Sequence, residues 1–201
     1  MCKKMDLMTV ILTGLLYSFR MTPFIVTGAS AVRVLLLLSG QKREFEDWTR
    51  NKVLTLVSIV FLPGTLAFMA IRYLIALSFG VDVEDIGSSS AYGEIDVYLK
   101  VDRPPRVGVV LVVLFLNVLL AVFISFILIV IPTTVYLQPL IAVACWWIAI
   151  GILINCSVRS GDLSLLFASF KRKPQRSLVE LLLFVSILSV AYYVQYVGVP
   201  A

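Results

Sequence analysis

The chain has 201 residues, 60% of them hydrophobic and 14% charged, with a formal net charge of +5, no histidine and a mean hydropathy of +1.00. That balance lies outside the range of soluble domains and points to one small all-α polytopic membrane domain covering residues 1–201. Without histidine the chain lacks the commonest general base and metal ligand, so haem, zinc and Ser-His or Cys-His chemistry are excluded, and no cofactor or metal is expected.

The Lys and Arg residues sit in short clusters between apolar runs rather than along one face. Loop charges of that kind orient membrane helices and meet anionic headgroups. A bilayer containing anionic lipids is therefore the expected partner, nucleic acid is not, and the expected location is the plasma membrane.

In chain order, Met1-Cys2-Lys3-Lys4 followed by an apolar run and Gly28-Ala29-Ser30-Ala31 superficially resembles a secretory leader. Arg20 interrupts the apolar region and the run resumes at Phe24, so a retained segment fits better. Met5 to Phe19 and Phe24 to Ser39 are each short for a span, about 22 to 24 Å of helix. With Arg20 and Pro23 between them, a hairpin of two thin helices is favoured over one long kinked helix. Gly40 to Lys52 is charged and holds Phe45 and Trp48 one helical turn apart; it reads as a short interfacial helix or a solvated turn.

Val53 to Phe79 is apolar, with Pro63-Gly64 near its middle and Arg72 in its second half. A kink is expected there, and re-entrant half-helices are an alternative. Val81 to Arg106 is the extramembrane loop. Within it Glu94, Asp96, Tyr98, Lys100 and Asp102 alternate with Ile95, Val97, Leu99 and Val101, the period of a β-strand. Val81 to Ile86 could pair with that strand across Gly87 to Gly93. Such a hairpin should lie on the helix ends or add to a sheet edge elsewhere, so a protein partner or self-association through Ile95 to Val101 is expected.

Val107 to Val158 is a run of 52 residues without Asp, Glu, Lys or Arg. One crossing takes about 20 residues, so this run is long enough for two. The polar, proline-containing break at Pro132 to Gln138 divides it into helices at Val107 to Ile131 and Pro139 to Ser157. Cys145 and Cys156 are eleven residues apart on the second helix, about 16 Å along its axis, and cannot bridge. In Arg159 to Arg176, Leu163, Leu166, Phe167 and Phe170 follow the i, i+3, i+4, i+7 rule, which predicts an amphipathic interfacial helix. Lys171, Arg172, Lys173 and Arg176 beyond the stripe are candidates for lipid headgroups. Leu178 to Val199 is the last span, with Tyr192, Tyr193 and Tyr196 as its interfacial belt.

About six transmembrane helices result, five to six of them full spans. Parity then puts the basic loops 40–52 and 159–176 on opposite sides. Either the Pro63-Gly64 segment is re-entrant, or two three-span halves with inverted topology share the chain. Eight Lys and Arg on one side against six on the other leave the orientation open.

Charges within spans are candidates for function by default. Arg33 and Arg72 qualify, each close enough to a span end to snorkel, with ion pairing or an anionic ligand as the alternative. Glu180, near a helix start, could pair with an arginine. Asn117, Gln138, Asn155 and Gln195 read as interhelical packing groups. Walker A, dinucleotide-binding, GxSxG, HExxH and paired-carboxylate motifs are absent.

The expected function is that of a non-catalytic membrane protein, a small transporter or permease component or a subunit of a larger membrane complex. A permease requires a cavity holding Arg33, Arg72 or the Pro63-Gly64 break. The alternative, an enzyme acting on a lipid or lipid-linked phosphate, requires a carboxylate beside one of those arginines.

Overall fold

A computed structural model describes residues 7–38, 41–43, 46–50, 52–89, 96–101, 104–134, 137–157 and 160–197. Its elements are α1 (Leu7–Leu38), β1 (Gln41–Arg43), β2 (Glu46–Arg50), α2 (Lys52–Val60), α3 (Leu62–Ser78), β3 (Val83–Ser89), β4 (Asp96–Val101), α4 (Val107–Thr134), α5 (Pro139–Ile154), α6 (Ser160–Arg172) and α7 (Pro174–Val197). The fold is a helical bundle with two small antiparallel sheets. Three of the helices, in α1, α4 and α7, are long and apolar enough to cross a membrane.

Helix α4 is the axis of the bundle and packs against α1, α3, α5, α6 and α7. A third of its span is buried, against 6% for the spans in α1 and α7, whose outer faces are Leu, Val, Ile and Phe. Apolar surface on that scale is stable only against lipid or another protein. The core is a seam where Phe68 of α3, Ala121 and Val122 of α4, and Ile152 and Cys156 at the end of α5 meet.

The N-terminal segment is one helix, not the hairpin expected, because α7 satisfies the backbone that Pro23 opens. Proline has no N–H to donate to the carbonyl four residues back, which here is that of Phe19. The Tyr192 hydroxyl donates to the Phe19 carbonyl at 3.1 Å, Tyr196 donates to Arg20 O at 2.7 Å, and Gln195 Nε2 to Leu16 O at 3.2 Å. The Tyr192 ring stacks on Phe19 at 4.4 Å between centroids, and the Arg20 guanidinium lies 5.3 Å from the Tyr196 ring centre. Tyr193 and Tyr196 are exposed and Tyr192 is half-buried, and through their hydroxyls Tyr192 and Tyr196 also clamp α1.

Removing the hydroxyl in Tyr192→Phe leaves the Phe19 carbonyl without its donor. The expected cost is about 1 kcal/mol, read from unfolding in mild detergent, with Tyr193→Phe unchanged.

Between α1 and α2 the expected interfacial helix or turn is instead a hairpin, Gln41 opposite Arg50 and Lys42 opposite Thr49. A reversal this short must satisfy its own amides, and antiparallel pairing does so. Phe45 lies outside the described residues.

Further on, α2 and α3 continue one another through Phe61, whose N–H donates to Val57 O at 2.9 Å and whose carbonyl accepts from Thr65 N at 3.0 Å. Pro63 sits in the first turn of α3, where a missing N–H costs nothing. The break is therefore a kink at Phe61, two residues before the proline expected to cause it.

The loop strand forms as read, from Asp96 to Val101, and pairs with β3 from Val83↔Val101 to Ser89↔Asp96. Gly87, Ser88 and Ser89 belong to β3 rather than to the turn. Val81, Val83 and Val101 pack on Ile75 and Ala76 of α3 and Val113 of α4, so the hairpin lies on the bundle's end.

Helix α6 forms where the periodicity placed it, with Leu166 and Phe170 of its apolar stripe half-buried. Leu163 and Phe167 of the apolar stripe are exposed, while Asp162, Leu165 and Ser169, spaced i, i+3, i+7, turn towards the bundle. The half-buried Arg72 draws the one acid of α6 inward into an ion pair.

Candidate functional site

A cavity of about 480 Å³ lies between α1, the α2–α3 kink and α5. Helix α1 supplies Ile25, Gly28, Ala29, Val32 and Arg33 to its wall, α2 and the kink supply Val57, Ser58 and Phe61, and α5 supplies Ile150, Leu153 and Ile154. Gly28 leaves room because a Cβ there would meet no atom within 4 Å. The kink at Phe61 turns α2 relative to α3, and α5 ends at Ile154, so neither helix fills the space.

The polar part of the wall is concentrated at one place. Asn155, which caps the end of α5, donates through Nδ2 to Gly151 O at 2.6 Å and to Thr65 Oγ1 at 3.0 Å. Thr65 in turn donates to the Phe61 carbonyl at 3.3 Å. This relay joins the end of α5 to the kinked residue beside the cavity, with Ser157 also on the wall. The half-buried Arg33 is the only charged side chain lining the cavity among the described residues. An apolar chamber with one cation and a few hydroxyl and amide groups suits a ligand that is mostly hydrocarbon with one polar or anionic end.

Helix α5 can come this close to the kink because glycine meets glycine. A Cβ on Gly64 would fall 2.5 Å from the Gly151 Cα and 2.8 Å from Ile152 N. Pro63 and Gly64 thus act together: one permits the kink, the other permits the contact that fixes α5 beside it.

Arg72 is elsewhere. Its guanidinium donates to Asp162 of α6 in an ion pair whose side chains are 12% and 16% exposed. This is an arginine beside a carboxylate, as the enzymatic alternative required. Each charge, however, is taken up by the other, and the adjoining space is about 40 Å³ lined by Val, Leu, Ala and Pro.

Glu180 accepts from Gly108 N at 2.9 Å, capping the start of α4, and from Arg176 Nε at 3.2 Å. Arg172 donates to Pro104 O at 3.0 Å, and Lys171 and Lys173 are exposed at the α6–α7 junction. Asn117 is buried in α4, and Gln138 precedes α5 without a side-chain cap bond. Among the described residues no three His, Cys, Asp or Glu side chains lie close enough to share a metal ion.

Three contributors were missed from sequence: Asp162, Gly151 and the Asn155–Thr65 bond. Asp162 had a signal, being the sole acid in a basic stretch, and Gly151 is the one glycine of α5. Nothing local pairs Asn155 with a threonine 90 positions away.

No protein-family model matches the chain, and neither a curated protein nor a solved structure is similar to it.

Proposed function

We propose that this chain is an integral membrane protein that binds an amphiphile in the cavity at the Phe61 kink and works as a small permease component rather than an enzyme. One observation carries this reading: a cavity of about 480 Å³, apolar apart from Arg33 and the Asn155–Thr65–Phe61 relay, adjoins the only bend in the α2–α3 pair. A bend held open by kinked backbone is where bundles of this kind place a ligand.

The proposed topology has five crossings: α1, the α2–α3 pair, α4, α5 and α7. Taken as one crossing, α1 leaves Lys3 and Lys4 on the side of segments 81–106 and 159–176. Lys and Arg then number ten on that side against four in 40–52, which resolves the even count that six crossings produce. By the positive-inside rule the ten face the cytoplasm and the C-terminus faces out. A plasma membrane, whose cytoplasmic leaflet is anionic, suits such a surface.

The test is photolabelling in proteoliposomes with a diazirine-bearing fatty acid. Label is expected in the Ile25–Arg33 and Ile150–Ser157 peptides, with at least a tenfold loss in Gly28→Phe, which fills the cavity from a position with free space around it. Label spread evenly over the exposed faces of α1 and α7, unchanged by Gly28→Phe, would overturn the reading.

A second reading, a subunit of a larger complex, is favoured by the sheet. It has two strands only, and β4 has one neighbour among the described residues, which leaves an edge able to accept a partner strand.

A further inference from the structure

A second space lies at the end of the bundle where α4 and α7 begin and α6 ends. It measures about 190 Å³, and its wall carries four cations, Arg106, Arg172, Lys173 and Arg176, against one carboxylate, Glu180. Both oxygens of that carboxylate are already committed, to Gly108 N and to Arg176. The site is therefore strongly electropositive with its only anion engaged. The first turns of two long helices open onto it at Val107 and Ser177, so their amide dipoles add to the positive potential.

The wall also contains Ser169, which is 2% exposed and whose hydroxyl has no hydrogen-bond partner among the described residues. A buried hydroxyl without a partner costs about 1 to 3 kcal/mol, and it is retained most simply where a ligand completes it. The Arg176 guanidinium is taken up by Glu180 and Arg172 also donates to Pro104 O, but the remaining charge, the helix starts and the unpartnered hydroxyl converge on the same space. Together they match one chemistry, a phosphate group, which takes charge-assisted bonds from guanidinium and ammonium groups and accepts from a hydroxyl.

From this geometry we infer that the pocket between α4, α6 and α7 is a binding site for a single phosphoryl group, with Ser169 donating to one oxygen and Arg172, Lys173 and Arg106 supplying the charge. Its surroundings bear on the source. Leu178 and Val179, which follow Ser177 on α7, are exposed, an apolar surface suited to acyl chains, while a soluble phosphate uses the same polar groups without it.

The experiment measures thermal unfolding of the full chain in neutral detergent. The additions are short-chain phosphatidic acid, short-chain phosphatidylcholine, and inorganic phosphate against chloride at matched ionic strength. Phosphatidic acid is expected to raise the midpoint in a concentration-dependent way where phosphatidylcholine does not. Ser169→Ala is expected to fold with an unchanged or higher midpoint in detergent alone, yet to bind phosphatidic acid at least fivefold more weakly. The Arg172→Gln/Lys173→Gln pair is expected to weaken it at least tenfold.

A rise with both phosphatidic acid and inorganic phosphate supports the site with either source. A rise with phosphatidic acid alone assigns it to lipid, and a rise with phosphate alone assigns it to a soluble ligand. The inference falls if no addition raises the midpoint above its control, or if the rise is as large in Ser169→Ala and in the double variant as in the parent.

Discussion

Arg72→Met is expected to lower stability by about 3 to 5 kcal/mol, and Asp162→Leu by a similar amount, whereas the double variant recovers most of the loss. Arg72 on α3 and Asp162 on α6 are 12% and 16% exposed, so neither charge is well hydrated once its partner is gone. Breaking such a pair strands a charge in low dielectric, while removing both leaves two apolar side chains beside Ala76, Val113 and Leu165, which already line the adjoining space. Equilibrium unfolding in mixed micelles measures the three variants and, by their difference, the coupling. Single variants that cost less than about 1 kcal/mol would mean the pair is as screened as an exposed salt bridge. The inward turn of Asp162 would then need another cause.

Gly64→Ala is the second large effect, expected to cost at least about 2 kcal/mol, towards the upper end for overpacking, with Gly64→Leu failing to fold. The added Cβ would stand 2.5 Å from the Gly151 Cα and carbonyl carbon, and a Cβ at Gly151 would stand 2.9 Å from the Gly64 Cα and 3.3 Å from Phe61 O. These are backbone atoms, so no rotamer change relieves the clash and the helices must separate. Separation would also pull Asn155 from Thr65, one residue beyond the contact. The control is Gly161→Ala in α6, where a Cβ meets nothing within 4 Å and alanine's helix propensity adds up to about 1 kcal/mol. Wild-type melting of both Gly64→Ala and Gly151→Ala would show that α3 and α5 are not in backbone contact.

Legibility of the fold followed the range of the forces. The α4–α5 hairpin, the strand at Asp96–Val101 and helix α6 depend on hydrophobic runs and local periodicity, and each was found within a few residues. Pro23 was read as a turn because proline opens a helix, and that reading failed because the donors that repair the opening are Tyr192 and Tyr196, over 170 positions away. The stripe on α6 was legible from its period, whereas no pattern within α6 reveals that its one acid meets Arg72 on α3. In the site, Arg33, the neighbourhood of Pro63-Gly64 and Asn155 as an interhelical group were named from sequence, whereas Asn155's partner Thr65 and the role of Gly151 were not, because both arise from contact between helices.

Composition and local order alone determined that this protein is rich in apolar helix, where most of those helices run, and that its charges gather between them. Hydrophobic transfer and helix periodicity act residue by residue along the chain, so they can be read there. Tertiary structure decided which carbonyl received a distant hydroxyl, which acid met Arg72, and where two glycines allowed backbones to touch beside a cavity. Those outcomes depend on desolvation and close packing between segments far apart in sequence, and such energies exist only once the segments meet.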